Sequence, residues 1–587
     1  MEVHRSSTDT VVEAPILQQN GRRKDWFHAI VIAILVGGIY VARLDTLPLH
    51  GEESRWAQGA AQMMQTGDWI VPRQQGQVFP ERPPLNSWAM AAAAVVWGDL
   101  DETAVRLPSV VAIVLTTLLI FVYARSFLST IGAVASAGAF ATMGQVLQIG
   151  RLGESESIFT LFVAASLLLW HLGYTAQWPK MLMWCVAYSA VGFGALTKGI
   201  QAPVYFAATV GVFLLVKRDW RTAFSWSHLT GIFSFIAIVG TWQIPFLMQT
   251  QWQDTVALWL GLASDRVGTG GLLRHMAAYP IETLICLMPW SILLMQLIYA
   301  PLRQSLKTNS NQLLFLVVAV FVTYPSVWFS IGARGRYFMP LYPCIAVLIG
   351  MIVQHTVTAT ESSGVRRGWN RFLFFSASVS VLLGVVAVAS RFVPALADLQ
   401  QSNFATLLVV FVSLSAAGVF VWARGNVSRA IPAVYSLIVF LGVAYTSVAL
   451  SARAKSRADL DTMVTNAKRL LPESYDLVSL GAVNHRFCYY YRDGISQLPW
   501  PDSLDQVPGD VDFFCFQKRG TDTPQERLEG RGRSWTTTSG TLPFEWEEVT
   551  RVPCESRIGK KQDTYVVIAR VVREPARLAN EADKTVR

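Results

Sequence analysis

The sequence predicts a polytopic α-helical membrane protein with about thirteen transmembrane helices and a small α/β domain at its C-terminal end. Three observations predict it. Of 587 residues, 52% are hydrophobic and only 15% are charged, where ordinary soluble domains carry roughly 25% charged residues. Apolar runs near the roughly 17–25 residues needed to cross a bilayer recur along the chain. Between them, cations and acids sort onto opposite sides. This composition excludes a disordered chain, a small disulfide scaffold and an ordinary cytosolic enzyme.

The runs lie near 26–43, 105–124, 131–150, 157–174, 181–197, 201–216, 229–249, 282–300, 312–332, 337–357, 372–393, 404–423 and 430–450. A further piece, 86–98 (NSWAMAAAAVVWG), is too short to cross alone. With 86–98 lying on the surface and residues 1–25 in the cytoplasm, the inside loops collect Arg125, Lys180, Lys217, Arg218, Arg221, Arg303, Lys307, Arg366, Arg367, Arg371, Arg424 and Arg429. The only acids there are Asp219 and Glu361, while Glu52, Glu53, Glu81, Asp99, Asp101, Glu102, Glu154, Glu156, Asp254 and Asp265 fall outside. Cytoplasmic loops of membrane proteins carry this excess of Lys and Arg, so thirteen spans satisfy the charge rule. If 86–98 crossed, every later loop would invert. The net charge of +9 is thereby a topology signal, and nucleic acid is not an expected partner.

Residues 26–450 therefore read as a membrane domain with a long outer first loop, 44–104, and a middle loop, 250–281. No signal-peptide cleavage pattern follows the polar start through Arg22, Arg23 and Lys24, so the first run reads as a retained anchor. Residues 451–587 read as an outer α/β domain, with an amphipathic helix at 458–471 and strands at 475–481, 511–517 and 563–572. Cys488, Cys515 and Cys554 lie in this tail, where one pair can be oxidised in an oxidising compartment.

The first loop holds Glu52, Glu53, Arg55 and Trp56, then Gly67-Asp68-Trp69, then Phe79-Pro80-Glu81-Arg82-Pro83-Pro84. Residues 53–66 have the makings of a helix, with Arg55 three residues after Glu52 and on the same side. The plain reading is an interfacial loop anchored by Trp and Arg. Other charged groups converge on the same outer face. Arg151, Glu154 and Glu156 open the fourth span, and Lys198 ends the fifth. Arg266, Arg274 and His275 lie in the middle loop, and Arg334, Arg336 and Tyr337 lie between the ninth and tenth spans. Cations on the face that the charge rule disfavours, beside acids at span ends, mark candidate functional groups. Together they read as an outward cavity with cations for a phosphate and carboxylates for proton transfer. Sugar transfer from a lipid-linked phosphate donor needs this combination: cations for the leaving phosphate and a carboxylate base for the acceptor hydroxyl.

The ordered motifs strengthen that reading. The Glu52-Glu53-Ser54-Arg55-Trp56 segment, GDW-x-VP, the block ending ERPPL-x-x-W, A-x-RLPS (104–109), RLGESES (151–157), LTKG (196–199), MPW (288–290) and RGRYFMPLYPC (334–344) resemble, in that order, the aminoarabinose transferase and protein mannosyltransferase group. These are C-type integral-membrane glycosyltransferases that use polyprenyl-phosphate sugars, and the likeness to their bacterial branch covers roughly residues 40–350.

The resemblance implies a role for each matching residue. Glu52 matches the group's first-loop catalytic Asp, followed by Glu53; Glu156 matches the second acid, also Glu in place of Asp. Arg55, Arg82, Lys198 and Arg336 are the implied donor-phosphate cations, with Arg266 or Arg274 as a later one. Trp56, Glu154, Arg151 and Tyr337 are further candidates for the substrate site. No cofactor is required by the chemistry, but in the aminoarabinose branch the Glu81 equivalent helps bind zinc, with His275 and His485 as partners to consider here. The implied partners are a polyprenyl-phosphate sugar donor, a lipid, protein or glycan acceptor, and membrane lipids. The implied location is the bacterial inner membrane. A transporter or flippase for a lipid-linked or anionic sugar is the rival reading; it predicts charges buried in mid-span, whereas here they sit at outer ends.

Overall fold

A computed structural model describes residues 14–80, 82–264, 271–360, 363–473, 475–519, 542–554 and 564–572. The chain is mostly helical. Among the described residues, nine helices are long and apolar enough to cross a membrane, and ten if Leu272–Cys286 and Trp290–Ile298, bent by 112°, form one broken span. Shorter apolar helices at Asp25–Val41, Thr130–Thr142 and Gln201–Lys217 fall on the three remaining runs.

The first half builds the site. Helix α1 (Ala14–Val41) leads into the first loop, whose helices are α2 (Glu53–Thr66) and α3 (Leu85–Trp97). Between these, β1 (Arg73–Gln74) and β2 (Gln77–Val78) pair antiparallel. Helix α2 spans the predicted 53–66 and stops at Gly67, which adopts φ +72°. Glycine takes this left-handed conformation without Cβ strain. Helix α4 (Glu102–Arg125) starts where the Asp101 side chain accepts the Ala104 N–H at 2.8 Å. There follow α5 (Thr130–Thr142), α6 (Gly144–Ile149), α7 (Ser155–Thr175), α8 (Lys180–Lys198) and α9 (Gln201–Lys217). Helices α7 and α8 pack along each other, α8 along Trp226–Gln249, and α5 along Tyr342–Thr358.

Small residues let the last pair approach closely, as expected where lipid offers no hydrophobic drive between helices. A Cβ added at Gly350 would lie 1.9 Å from Ser136 Oγ and 2.5 Å from the Gly132 carbonyl oxygen.

The first loop is held by one buried ion pair. Glu53 is 0% exposed and Arg106 of α4 is 1% exposed. Arg106 Nε donates to Glu53 Oε1 at 2.8 Å and Nη2 to Oε2 at 3.0 Å. The same guanidinium donates Nη1 to the carbonyls of Leu44 and Leu47 at 2.7 and 2.8 Å. The Glu53 carboxylate also accepts the N–H groups of His50 at 2.9 Å and Gly153 at 2.8 Å. Chain segments far apart in sequence thus meet on two side chains. Burial alone would raise the Glu53 carboxyl, but the Arg106 guanidinium and His50 outweigh it and hold it well below the usual carboxylate range.

The tail carries a five-stranded sheet of order β4-β3-β5-β7-β6, from β3 (Val478–Leu480), β4 (Ser496–Leu498), β5 (Phe513–Arg519), β6 (Trp546–Pro553) and β7 (Thr564–Val571). β3 is parallel to β4 and β5; β7 is antiparallel to β5 and β6. The amphipathic helix predicted at 458–471 forms over Leu460–Lys468. Cys488, Cys515 and Cys554 are buried, free thiols, so no disulfide joins any of them. One apolar cluster joins the tail to the first loop: Leu49, Trp56, Ala60 and Met90 pack with Leu460, Val464, Phe487 and Tyr491.

Two stability outcomes follow from this packing. Gly350→Ala lowers the melting temperature of the purified protein by the equivalent of about 1–3 kcal/mol, because backbone cannot yield as a flexible side chain can. Glu53→Gln at neutral pH costs about 3–5 kcal/mol, since it leaves Arg106 buried without its counter-charge. Because the folded Glu53 carboxyl is depressed, its contribution is complete above the ordinary value of 4.5 and is lost as pH falls below it. The gap in melting temperature between wild type and Glu53→Gln therefore narrows on acidification; a gap independent of pH would contradict the assignment.

Candidate active site

The turn 50–52 stands directly on the Glu53 anchor. Gly51 has φ +68°, and a Cβ there would meet Glu154 Oε1 at 2.5 Å, so only glycine lets the first loop touch that carboxylate. Glu52 follows, with its side chain 38% exposed, and its Oε2 lies 2.8 Å from Arg55 Nη1. Arg55 also stands 5.5 Å from the Phe79 ring centroid.

Beside this pair runs a line of buried charges from three other elements. Glu154, at the start of α7, accepts from Arg336 Nη1 at 2.8 Å. Arg336 Nε stands 3.7 Å from Glu156 Oε1, and that oxygen accepts from Lys198 Nζ at 3.0 Å. Lys198, at the end of α8, lies 5.1 Å from the Tyr337 ring centroid and 5.6 Å from that of Phe159. The charge of Arg82, on the first loop ahead of α3, reaches Lys198 as well. Cations Arg55, Arg82, Lys198 and Arg336 thus share one neighbourhood with carboxylates Glu52, Glu154 and Glu156. Each of these three carboxylates has a cation within 3.0 Å, as burial of charge requires.

Glu154 is the group poised to titrate. Burial, then the Glu156 carboxylate, push its carboxyl up to about 7, against the pull of Arg336; Glu53 and Glu52 add further repulsion. One oxygen of Glu156, Oε2, is buried with no hydrogen-bond partner among the described residues. The arrangement can hold an anion between fixed cations and offer a carboxylate at its edge.

The structure therefore brings together Glu52, Arg55, Glu154, Glu156, Lys198, Arg336, Tyr337 and Arg82. Three candidates are placed differently. Glu53 is a structural anchor with both oxygens engaged and no exposed surface, so it is not a reacting group. Arg151 donates to the backbone carbonyls of Ile39 at 2.6 Å, Ala42, and Arg43 at 3.2 Å, fastening the end of α1 rather than facing a substrate. Trp56 is 6% exposed and packs in the cluster between the first loop and the tail. Glu81 and Arg266 lie outside the described residues.

The histidines named for zinc are engaged elsewhere. His275 Nε2 contacts the Val327 carbonyl at 3.3 Å. His485 Nδ1 pairs with Ser54 Oγ at 2.6 Å, and burial, with Arg55 and Arg486 adding to it, holds this imidazole down to about 3 and hence neutral. Among the described residues, no three His, Cys, Asp or Glu side chains converge to hold a metal ion. His275 and His485 are thus each committed to a protein partner, and Glu81, the expected carboxylate ligand, lies outside the described residues.

Two groups of residues escaped sequence reasoning. Arg106 has a legible signal, a lone cation in an apolar run within RLPS. The tail contacts have none. Leu49 donates its N–H to Tyr490 Oη at 2.7 Å, and its carbonyl accepts from Arg486 Nε at 2.9 Å. The tail helix His485–Tyr491 thus grips both backbone groups of the residue three places before Glu52.

Comparison with known proteins agrees with this architecture. Residues 81–243 match the family described as dolichyl-phosphate-mannose-protein mannosyltransferase. The undecaprenyl phosphate-alpha-4-amino-4-deoxy-L-arabinose arabinosyl transferase of Edwardsiella ictaluri is 26% identical over 62% of this chain and 64% of its own length. Its counterpart in Pseudomonas aeruginosa strain LESB58 is 27% identical over 54% of this chain and 58% of its own. The chain thus spans less than two thirds of these relatives. Among solved structures, ArnT from Cupriavidus metallidurans bound to undecaprenyl phosphate superimposes with a TM-score of 0.64 at 16% identity, over 92% of this chain and 97% of that one. The chain shares the ArnT fold and, through residues 81–243, the protein mannosyltransferase signature, the same group that its first-half motifs resemble.

Proposed function

We propose that this protein is an integral-membrane glycosyltransferase that moves one sugar from a polyprenyl-phosphate donor to an acceptor hydroxyl at the outer face of the membrane. The observation that carries the reading is the line Glu154–Arg336–Glu156–Lys198 set beside Glu52–Arg55. Polyprenyl-phosphate sugar chemistry, named for the curated relatives, supplies a donor whose anionic phosphate fits that line. The donor sugar is a pentose or hexose, and the acceptor is a lipid, protein or glycan.

In the proposed mechanism the acceptor oxygen attacks the anomeric carbon as the bond from that carbon to the phosphate oxygen breaks. Glu52 takes the hydroxyl proton; among the described carboxylates of the line it alone combines solvent access with a position at the edge. Lys198, Arg336, Arg82 and Arg55 receive the charge that develops on the departing phosphate. Glu156 keeps Lys198 and Arg336 at their posts and helps position the acceptor. In-line displacement inverts the anomeric centre.

We further infer thirteen crossings, with residues 1–25 in the cytoplasm and the 451–587 tail as an outer domain of a bacterial inner-membrane protein. The distribution of loop charges supports this topology. The contacts of the tail with the first loop support an arrangement with both on one side of the membrane.

Two measurements test the reading. With purified protein, labelled polyprenyl-phosphate sugars and a cell-envelope acceptor fraction, Glu52→Gln lowers the release of free polyprenyl phosphate by about 10²–10⁴-fold, the usual range for losing a general base. Donor binding survives that change. Binding without release in wild type would instead establish transport.

The second measurement concerns pH. Above about 7, Glu154 ionises and competes with the donor for Arg336; below it the carboxyl is neutral. The donor is a phosphodiester with one fixed charge, so only the protein titrates. Donor KM therefore rises as pH passes upward through 7, and Glu154→Gln flattens the profile. A KM independent of pH in wild type would remove Glu154 from the phosphate site.

A further inference from the structure

A cleft of about 390 Å³ opens between α2 and the tail, apart from the charge line. Its volume lies in the range of small-molecule sites. One wall is a face of α2 carrying Gln58, Gln62 and Gln65, at helical spacing i, i+4, i+7. The amides of Gln62 and Gln65 have no hydrogen-bond partner among the described residues. The other wall is the end of the tail helix, with Tyr489, Arg492 and Asp493.

The chemistry of the lining selects a ligand class. Asp493 is paired with Lys468, and Arg492 Nη1 stands 3.4 Å from Asp99 Oδ2. Among the described residues that line the cleft, no cation is left over for a phosphate. What remains is the planar amides of Gln62 and Gln65, each offering donor and acceptor side by side, with carboxylate oxygens and a phenol ring around them. This set suits a ligand rich in neighbouring hydroxyls with an apolar face. Position adds to chemistry. Counting from Glu52 at 1.5 Å rise per residue, Gln58 to Gln65 lie about 9–20 Å along the α2 axis from the proposed base.

We propose that this cleft binds a neutral oligosaccharide, the part of a glycan-bearing acceptor remote from the hydroxyl that reacts. The inference rests on the transferase reading for its purpose, but not for its chemistry. Helix α2 then serves as a ruler, holding the acceptor at one end and the base at the other.

The test uses the full chain in lipid nanodiscs, because maltoside detergents carry the same chemistry as the probe. Saturation-transfer NMR is recorded with maltotriose, cellotriose and mannotriose, and with inorganic phosphate as the anionic comparison. At least one trisaccharide gives a saturable signal, Gln62→Ala with Gln65→Ala weakens its binding by about tenfold, the loss of two ordinary hydrogen bonds, and Glu52→Gln leaves it unchanged. Both glutamines lie at the surface of the cleft, and an unchanged melting temperature shows that the double variant folds. The proposal is overturned if no trisaccharide binds wild type, if the double variant binds as wild type does, or if phosphate binds there in preference. Failure of the transferase reading looks different: polyprenyl phosphate is not released while trisaccharide binding persists.

Discussion

Charge taken out of water has to meet opposite charge or hydrogen-bonding backbone, and in this chain that requirement organises the outer ends of the helices. Glu53 and Arg106 meet it with two direct hydrogen bonds to each other and five more to surrounding backbone. The pair ties the first loop to α4 and to the approach to α7. The turn carrying Glu52 inherits its position from this anchor, since the two residues are adjacent in the chain. A pair of this kind is weak evidence for net stability but fixes one arrangement among many. Here that arrangement sets the distance between the proposed base and the cationic line.

The tail completes the same constraint from the other side. Tyr490 and Arg486 hold the N–H and carbonyl of Leu49, and His485 holds Ser54 just after the Glu52–Glu53 pair. Gln75 of the first loop donates to Ser479 Oγ at 2.8 Å and accepts the Val483 N–H at 3.2 Å. The first loop is therefore a layer between membrane helices and sheet, gripped from both. This explains why Trp56 is buried: the surface it would present to a substrate is the surface on which the tail packs.

Much of this was legible in the sequence, for identifiable reasons. Apolar runs announce their helices because span length is a property of local composition, and each predicted run falls on a helix. Helix α2 was legible to its ends because Gly67 stops it and Glu52–Arg55 marks its start. Local i,i+3 spacing also revealed that one ion pair. The long-range pairs were not legible, because nothing local says that Glu53 faces Arg106 and Glu154 faces Arg336. For the same reason Glu53 and Arg151, plausible as reactive groups by position, prove to be fasteners. Strands β4 and β6 and the tail helix at His485 were missed: β4 is three residues long, and β6 (WEEVTRVP) carries charges through its middle.

In the proposed mechanism the buried cations beside Glu52 hold the phosphate of a lipid donor. Native mass spectrometry of the purified protein with undecaprenyl phosphate tests this most directly, without any turnover. Lys198→Met is combined with Glu156→Gln so that no buried charge is stranded, and the exposed Lys307→Met serves as comparison. Wild type and Lys307→Met retain the lipid, and the Lys198 variant loses it, if those cations hold the phosphate. Equal retention by all three would contradict the claim and leave the charge line with a purely structural role.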